Sequence, residues 1–242
     1  MTLTVGSLFS GIGGLDLGLE RAGMKVIWQS EIDPYCNKVL KKHWPEVINH
    51  GNIKNIDWRT VKRPDIVCGG YPCQPFSVAG QRKGAEDPRH LWPWVRDAIS
   101  KLRPNYAILE NVRGHLTMGG TTVIGDLAKI GYDAEWRVIS AAGLGAPHRR
   151  DRLIIVAYPN LFKLGDLNKR AIVQRTDGEG PKVFFTNSSS SCNQGTNSQW
   201  LFEPRMGRVA NGVSARVDRL RGLGNAVVPQ VAEYVGRLIV NA

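Results

Sequence analysis

The first 157 residues alternate short apolar runs with longer amphipathic stretches, and this alternation constrains the fold more than any other feature of the chain. "LTVGSLF", "MKVIWQSE", "PDIVCGG", "NYAILENV" and "RDRLIIVAY" read as strands. "DPYCNKVLKKHW" and "HLWPWVRDAISKLR" read as helices, and "GGLDLGLERAG" as a loop entering a helix. "TTVIGDLAKIGYDAEWRVIS" reads as a helix followed by a strand. Strands alternating with helices predict an α/β fold, a parallel sheet with helices on both faces.

The pattern changes near Tyr158. From Pro159 to about Trp200 the chain is polar, with the run "TNSSSSCNQGTNSQ", and only "KVFF" breaks it. A disordered linker is a competing reading of that stretch. In the closing segment Val228, Val231, Val235 and Leu238 fall on one helical face, and Pro229 suits a first turn. That helix is expected to pack back on the sheet. The expected organisation is a main domain over 1–157, an insert over 158–205 and a returning segment over 206–242.

Lysine and arginine number 32 against 21 acidic residues, a net charge of +11. An excess of that size points to a polyanion, most often nucleic acid, with a simple solubility charge as the competing reading. Cys36, Cys68, Cys73 and Cys192 form no C-x-x-C pair and no disulfide framework, which argues against structural zinc and for a reducing compartment. The start "MTLTVGSLFSGIGG" lacks the marks of a signal peptide, and no apolar run approaches the roughly 20 residues of a membrane span, so a cytoplasmic location is expected.

Three motifs carry chemistry. Gly11, Gly13 and Gly14 lie between a strand and a helix, where glycine permits a tight turn and close backbone approach to a ligand. Glu31 ends the next strand, 20 residues beyond Gly11, an offset at which acidic residues bond ribose hydroxyls. An ordinary glycine turn is the competing reading, and the full G-x-G-x-x-G pattern is absent. The second motif is "GGYPCQPFS". Cys73 sits between Pro72 and Pro75 just past a strand end, a stiff frame suited to a nucleophilic thiolate. Cys68, inside the apolar run, suits the inert buried role. Third, Glu110 ends a strand and could hold or donate a proton, while Arg150 and Arg152 alternate at a strand start and share a face. A solvated loop and a basic edge strand compete with these two readings.

Taken in order, "FSGIGG", "PCQPFS", "ENV", "RRDR" and "GLGNAVVP" resemble the DNA cytosine-5 methyltransferases. The resemblance covers 1 to about 157 and about 205 to 242. It implies a Rossmann-like sheet that binds S-adenosyl-L-methionine, with Phe9, Ser10, Gly11, Gly13 and Gly14 along the methionine and ribose side. By the same likeness Glu31 takes the ribose hydroxyls and Ile32 flanks the adenine. Asn52, Ile53, Pro72 and Asn225 complete the pocket. Cys73 becomes the nucleophile, Glu110 grips the N3 edge of a flipped cytosine and Arg152 reaches its O2. Gln74, Ser77, Arg82, His148 and Arg150 are expected at double-stranded DNA. No metal is expected. A monomer is expected, and the likeness leaves room for a cognate restriction endonuclease as partner.

The chain departs from the family at three points. Asn52 stands where the family usually has an aspartate bonding the adenine amino group. His148 stands where a glutamine is frequent. The insert, about 45 residues, is short for a target-recognition region. A small recognition region would also suit an RNA cytosine methyltransferase on the same fold. A DNA-binding protein of this fold without catalysis is a third reading, against which the set Cys73, Glu110 and Arg152 argues.

Overall fold

The structure, a computed structural model, describes residues 1–72, 91–160 and 216–241. Seven strands form one sheet: β1 (Thr4–Leu8), β2 (Lys25–Ser30), β3 (Ile48–Asn49), β4 (Ile66–Gly70), β5 (Tyr106–Val112), β6 (Tyr132–Ser140) and β7 (Asp151–Pro159). The helices are α1 (Gly14–Arg21), α2 (Pro34–His43), α3 (Trp92–Leu102), α4 (Thr121–Lys129), α5 (Arg216–Asn225) and α6 (Pro229–Val240). The strand order is β3-β2-β1-β4-β5-β7-β6.

The sheet is mixed, which corrects the expectation of a parallel one. β1 to β5 pair parallel, but β7 runs antiparallel between β5 and β6. The cause is local. Between Ser140 and Asp151 the chain has one short 3-10 turn, Ala142–Leu144, and no crossover helix. A parallel return needs a crossover of a dozen or more residues, so the chain turns back as a hairpin.

Strand residues alternate between two cores, as the pleat requires. On one face Leu8, Val67, Leu109, Leu153 and Ile155 pack with Val95 and Ile99 of α3 and Leu127 of α4. On the other, Val5, Ile66, Cys68, Ile108 and Ile154 pack with Leu15 and Leu19 of α1 and Val231, Val235 and Ile239 of α6. Helices therefore cover both faces, as expected. Gly6 has a packing reason: a Cβ there would lie 2.0 Å from the ring of Trp28.

Local chemistry sets the helix ends. The Asp33 carboxylate accepts from the N–H groups of Tyr35 and Cys36, both at 2.9 Å, Pro34 opens α2, and Lys41, Lys42 and His43 occupy its last turn. Pro229 begins α6 as expected. The buried face of α6 is Val231, Ala232, Val235, Gly236 and Ile239, so Val228 and Leu238 lie at its margin rather than in the stripe. Gly236 and Ala232 let α6 lie close on α1: a Cβ on Gly236 would come within 2.7 Å of the Ala22 side chain. No helix among the described residues is long and apolar enough to cross a membrane.

Candidate functional site

The carboxyl ends of β1, β2, β4 and β5 share one edge of the sheet, where open α/β folds bind ligands. The loop after β1 turns sharply there. Phe9 takes φ 52°, rare for a residue with a side chain, followed by Gly11 at 55° and Gly13 at 84°. A buried polar cluster sits beneath this turn. Asp16, fully buried in the first turn of α1, accepts from Ser7 Oγ (3.0 Å) and Gln29 Nε2 (2.9 Å). Ser10 Oγ donates to Ser7 Oγ (2.9 Å). The hydroxyl of Ser10 therefore points into the protein. Burial pushes the Asp16 carboxyl up to about 6 and raises the Cys68 thiol well above its ordinary range, so Cys68 is an inert thiol.

The three glycines divide by job. A Cβ on Gly13 would strike the Trp44 ring at 2.4 Å, and one on Gly14 would strike the Val227 carbonyl oxygen at 2.4 Å. Both admit other parts of the protein. Around Gly11 the nearest atom to such a Cβ is the Phe9 carbonyl oxygen at 4.0 Å, so Gly11 is the open one. Its N–H donates to Glu31 Oε2 (2.8 Å), while Glu31 Oε1 accepts from the N–H groups of Ile32 and Asp33, both at 2.8 Å. Three backbone donors thus fix this carboxylate just past β2. Next to it Ile32 is an apolar side chain left 66% exposed. Asn52 is exposed and its Oδ1 accepts from the Lys54 N–H (3.0 Å), capping a 3-10 turn, Ile53–Asn55. Ile53 itself is buried in the core beside β1 and β4.

Three features fit a nucleoside-bearing ligand. Gly11 leaves room for backbone approach. The immobilised Glu31 keeps a lone pair on Oε2 for a ribose hydroxyl. Exposed Ile32 offers an apolar surface to a base.

On the other side, Glu110 and Arg152 meet across β5 and β7. Arg152 Nε lies 2.7 Å from Glu110 Oε1, with both side chains largely buried. Burial outweighs the attraction of Arg152 and Arg150 and pushes the Glu110 carboxyl up to about 6. Gly70, the last residue of β4, pairs with Glu110, and a Cβ on Gly70 would be 2.6 Å from Glu110 Oε2. The missing side chain lets the carboxyl group lean over the end of β4, where the chain passes to Pro72. Tyr71 is held there by three groups. Its carbonyl accepts from Asn111 Nδ2 (3.2 Å), its hydroxyl lies 2.7 Å from Nε2 of buried His115, and its ring packs on Trp92.

Arg150, expected at DNA, donates from Nη2 to the carbonyls of Gly224 and Ala226, both at 2.7 Å. Between them lies Asn225, exposed at the end of α5. His148 is exposed in the turn before β7. Cys73, Gln74, Ser77 and Arg82 lie outside the described residues, as does the insert from 161 to 215. Sequence reading missed Asp16, Gly70, Tyr71 and His115. Asp16 carried a usable signal, an acidic residue in an apolar helix entering from a glycine loop; the others become significant only once the strands are paired.

Comparison with known proteins identifies the family. The profile described as C-5 cytosine-specific DNA methylase matches residues 3–199. The Type II methyltransferase M.Eco47II of Escherichia coli is 39% identical over 165 residues, 65% of this chain and 40% of the relative. M.MthTI of Methanothermobacter thermautotrophicus is 33% identical over 199 residues, 75% of this chain and 58% of its own. The chain thus spans roughly two fifths to three fifths of the relatives it matches. Among solved structures, a Spodoptera frugiperda DNMT2 mutant superposes with a TM-score of 0.57 at 22% identity, over 74% of this chain and 56% of that one. A prophage-encoded Escherichia coli protein described as a DNA modification methyltransferase gives 0.57 at 27%, over 69% and 49%. With the profile spanning well over half the sequence, and an ordered sheet edge carrying the glycine turn, Glu31, Glu110 and Arg152, the chain belongs to the C-5 cytosine-specific DNA methylase family.

Proposed function

We propose that this protein transfers a methyl group from S-adenosylmethionine to C5 of a cytosine flipped out of DNA, through a covalent bond to Cys73. The observation that carries the reading is the buried Glu110–Arg152 pair, leaning over the end of β4 from which the chain runs through Pro72 to Cys73. Cytosine C5 is a weak nucleophile. Attack of the Cys73 thiolate on C6 breaks the conjugation of the ring and makes C5 electron-rich. Negative charge then develops toward N3 and O2. A Glu110 carboxyl pushed by burial up to about 6 can donate to N3, and the Arg152 guanidinium can stabilise O2. The bound cofactor supplies an electrophilic methyl carbon on a sulfonium. Loss of the C5 proton and departure of the thiolate restore the ring. A stacked base is out of reach of these groups, so the base must leave the duplex.

Gly11, Glu31, Ile32 and Asn225 serve the cofactor in this reading, and the Tyr71 anchorage stiffens the approach to Cys73. The Type II relatives support a companion endonuclease as a further expectation. The test is labelled methyl transfer to duplex DNA and to tRNA in parallel, followed by base-resolution mapping of 5-methylcytosine. A duplex carrying 5-fluorocytosine should trap the protein covalently, since fluorine cannot leave as a proton does. Methyl transfer to tRNA with none to any duplex would shift the substrate to RNA, and transfer to neither would remove the catalytic reading.

A further inference from the structure

Arg150 has an arrangement that a phosphate-binding arginine does not need. Its Nη2 bridges the carbonyls of Gly224 and Ala226 at 2.7 Å each. These carbonyls belong to the end of α5 and the residue just beyond it. Helix ends leave carbonyls without intrahelical partners and concentrate negative partial charge, so a guanidinium there is a cap in both respects. The Nε of Arg150 is buried with no hydrogen-bond partner among the described residues. An arginine extended toward DNA would keep that nitrogen in water. The opposite side of the same stretch is also fixed. The Val227 carbonyl rests where a Cβ of Gly14 would lie, 2.4 Å away, and the Ala226 N–H donates back to Gly222 O (3.0 Å). Residues 224–227 are therefore clamped between the start of β7 and the glycine turn after β1.

We propose that Arg150 is a positioning residue: it caps α5 and holds residues 224–227 against the glycine turn, so that exposed Asn225 is presented to the cofactor site, and it does not bind DNA phosphate. The proposal rests on the methyltransferase reading for the identity of the ligand. It gives the alternating arginines of "RRDR" separate tasks, with Arg152 serving Glu110 and Arg150 serving the returning segment. The two halves of the site are thereby joined through three consecutive residues of one strand start.

The test uses the full chain as wild type, Arg150→Ala and Arg150→Lys. Affinity for S-adenosylhomocysteine is measured by calorimetry without DNA, and duplex affinity is measured against salt. Losing two hydrogen bonds from a charged donor should weaken cofactor binding about tenfold or more in Arg150→Ala. Arg150→Lys, which keeps the charge but not the fork, should lose several-fold. The salt slope of duplex binding should stay at the wild-type value in both. Unchanged cofactor affinity, with the log–log slope reduced by about 0.9 in Arg150→Ala, would identify a phosphate contact and overturn the proposal. Should Arg150→Ala fail to melt cooperatively, folded Arg150→Lys decides, and wild-type cofactor affinity there overturns it. If the wild type binds no S-adenosylhomocysteine, the ligand assignment fails by itself. Hydrogen exchange at the Ala226 and Val227 amides then tests the clamp alone, with faster exchange in the variants expected and unchanged exchange overturning it.

Discussion

Replacing Glu110 by glutamine sets two electrostatic effects against each other. Glu110 is only 7% exposed and its carboxylate lies 2.7 Å from the Arg152 guanidinium. Pairing favours the ionised form, and burial favours the neutral one. In this structure burial prevails, moving the carboxyl from its ordinary 4.5 to about 6. At about 1.4 kcal/mol per pH unit, that difference corresponds to roughly 2 kcal/mol. The folded protein binds this proton more tightly than the unfolded chain. Stability from Glu110 is therefore greatest below about pH 4.5, falls as pH rises toward about 6, and is level above that. Glutamine does not titrate and keeps the shape and one acceptor for Arg152. The difference in unfolding free energy, wild type minus Glu110→Gln, should therefore drop by about 2 kcal/mol between about pH 4.5 and pH 7.5. Urea unfolding of both proteins at several pH values measures it. Asp16 titrates in the same range, and taking the difference between the two proteins removes its share. A difference that rises with pH would mean that the Arg152 pairing prevails, and would refute the view of Glu110 as a carboxyl kept ready to hold a proton at N3.

Cys73→Ser should abolish methyl transfer and 5-fluorocytosine trapping while S-adenosylhomocysteine still binds, because a serine hydroxyl is far less ionised than a thiol; transfer near the wild-type rate would end the covalent mechanism. Gly14→Ala puts a Cβ 2.4 Å from the Val227 oxygen and should cost about 1–3 kcal/mol, whereas Gly125→Ala, inside α4 with no atom of the described residues within 4 Å, should gain about 0.5–1 kcal/mol; equal effects in urea unfolding would contradict the packing assigned to Gly14. Asn52→Asp keeps the cap on Lys54 and adds a charge, so cofactor affinity should rise about fivefold by calorimetry if the side chain faces an adenine amino group. The insert holds Lys163, Lys169, Arg170, Arg175 and Lys182, residues that mostly contact phosphates, so methylation of a random duplex library should reveal a site of roughly 2–4 specified base pairs with strongly salt-dependent binding. A fully specified site of about six or more would contradict it.

Much of the sheet edge around the glycine turn was legible because its signals are local. The strand cores, the glycine turn, the Pro229 helix start and the apolar run around Cys68 each depend on a few neighbouring residues, and the offset to Glu31 spans one strand–helix–strand unit. The direction of β7 was also present in the sequence, as a stretch from 141 to 150 too short for a crossover helix and holding only the turn Ala142–Leu144, but strand-and-helix alternation elsewhere masked that sign. The stripe of α6 was read at the right period and shifted at its edges, because the close approach of α1 at Gly236 and Ala232 rotates the buried face toward small residues.

The sequence by itself determined which chemistry the chain can carry, since nucleophile, acid and cation are properties of residue types in short motifs. Only the tertiary structure decided what each residue touches. Arg150 and Arg152 look alike in "RRDR", yet one meets the carbonyls of a segment more than 70 residues away and the other meets Glu110. Gly11, Gly13 and Gly14 look alike in "SGIGG", yet among the described residues one meets only the Phe9 carbonyl at 4.0 Å, one a tryptophan ring and one a backbone carbonyl. The physical reason is range. Backbone conformation is set by near neighbours, whereas burial, pairing and the resulting charge of Glu110 and Asp16 depend on groups that only the paired sheet and its returning C-terminal segment bring within reach.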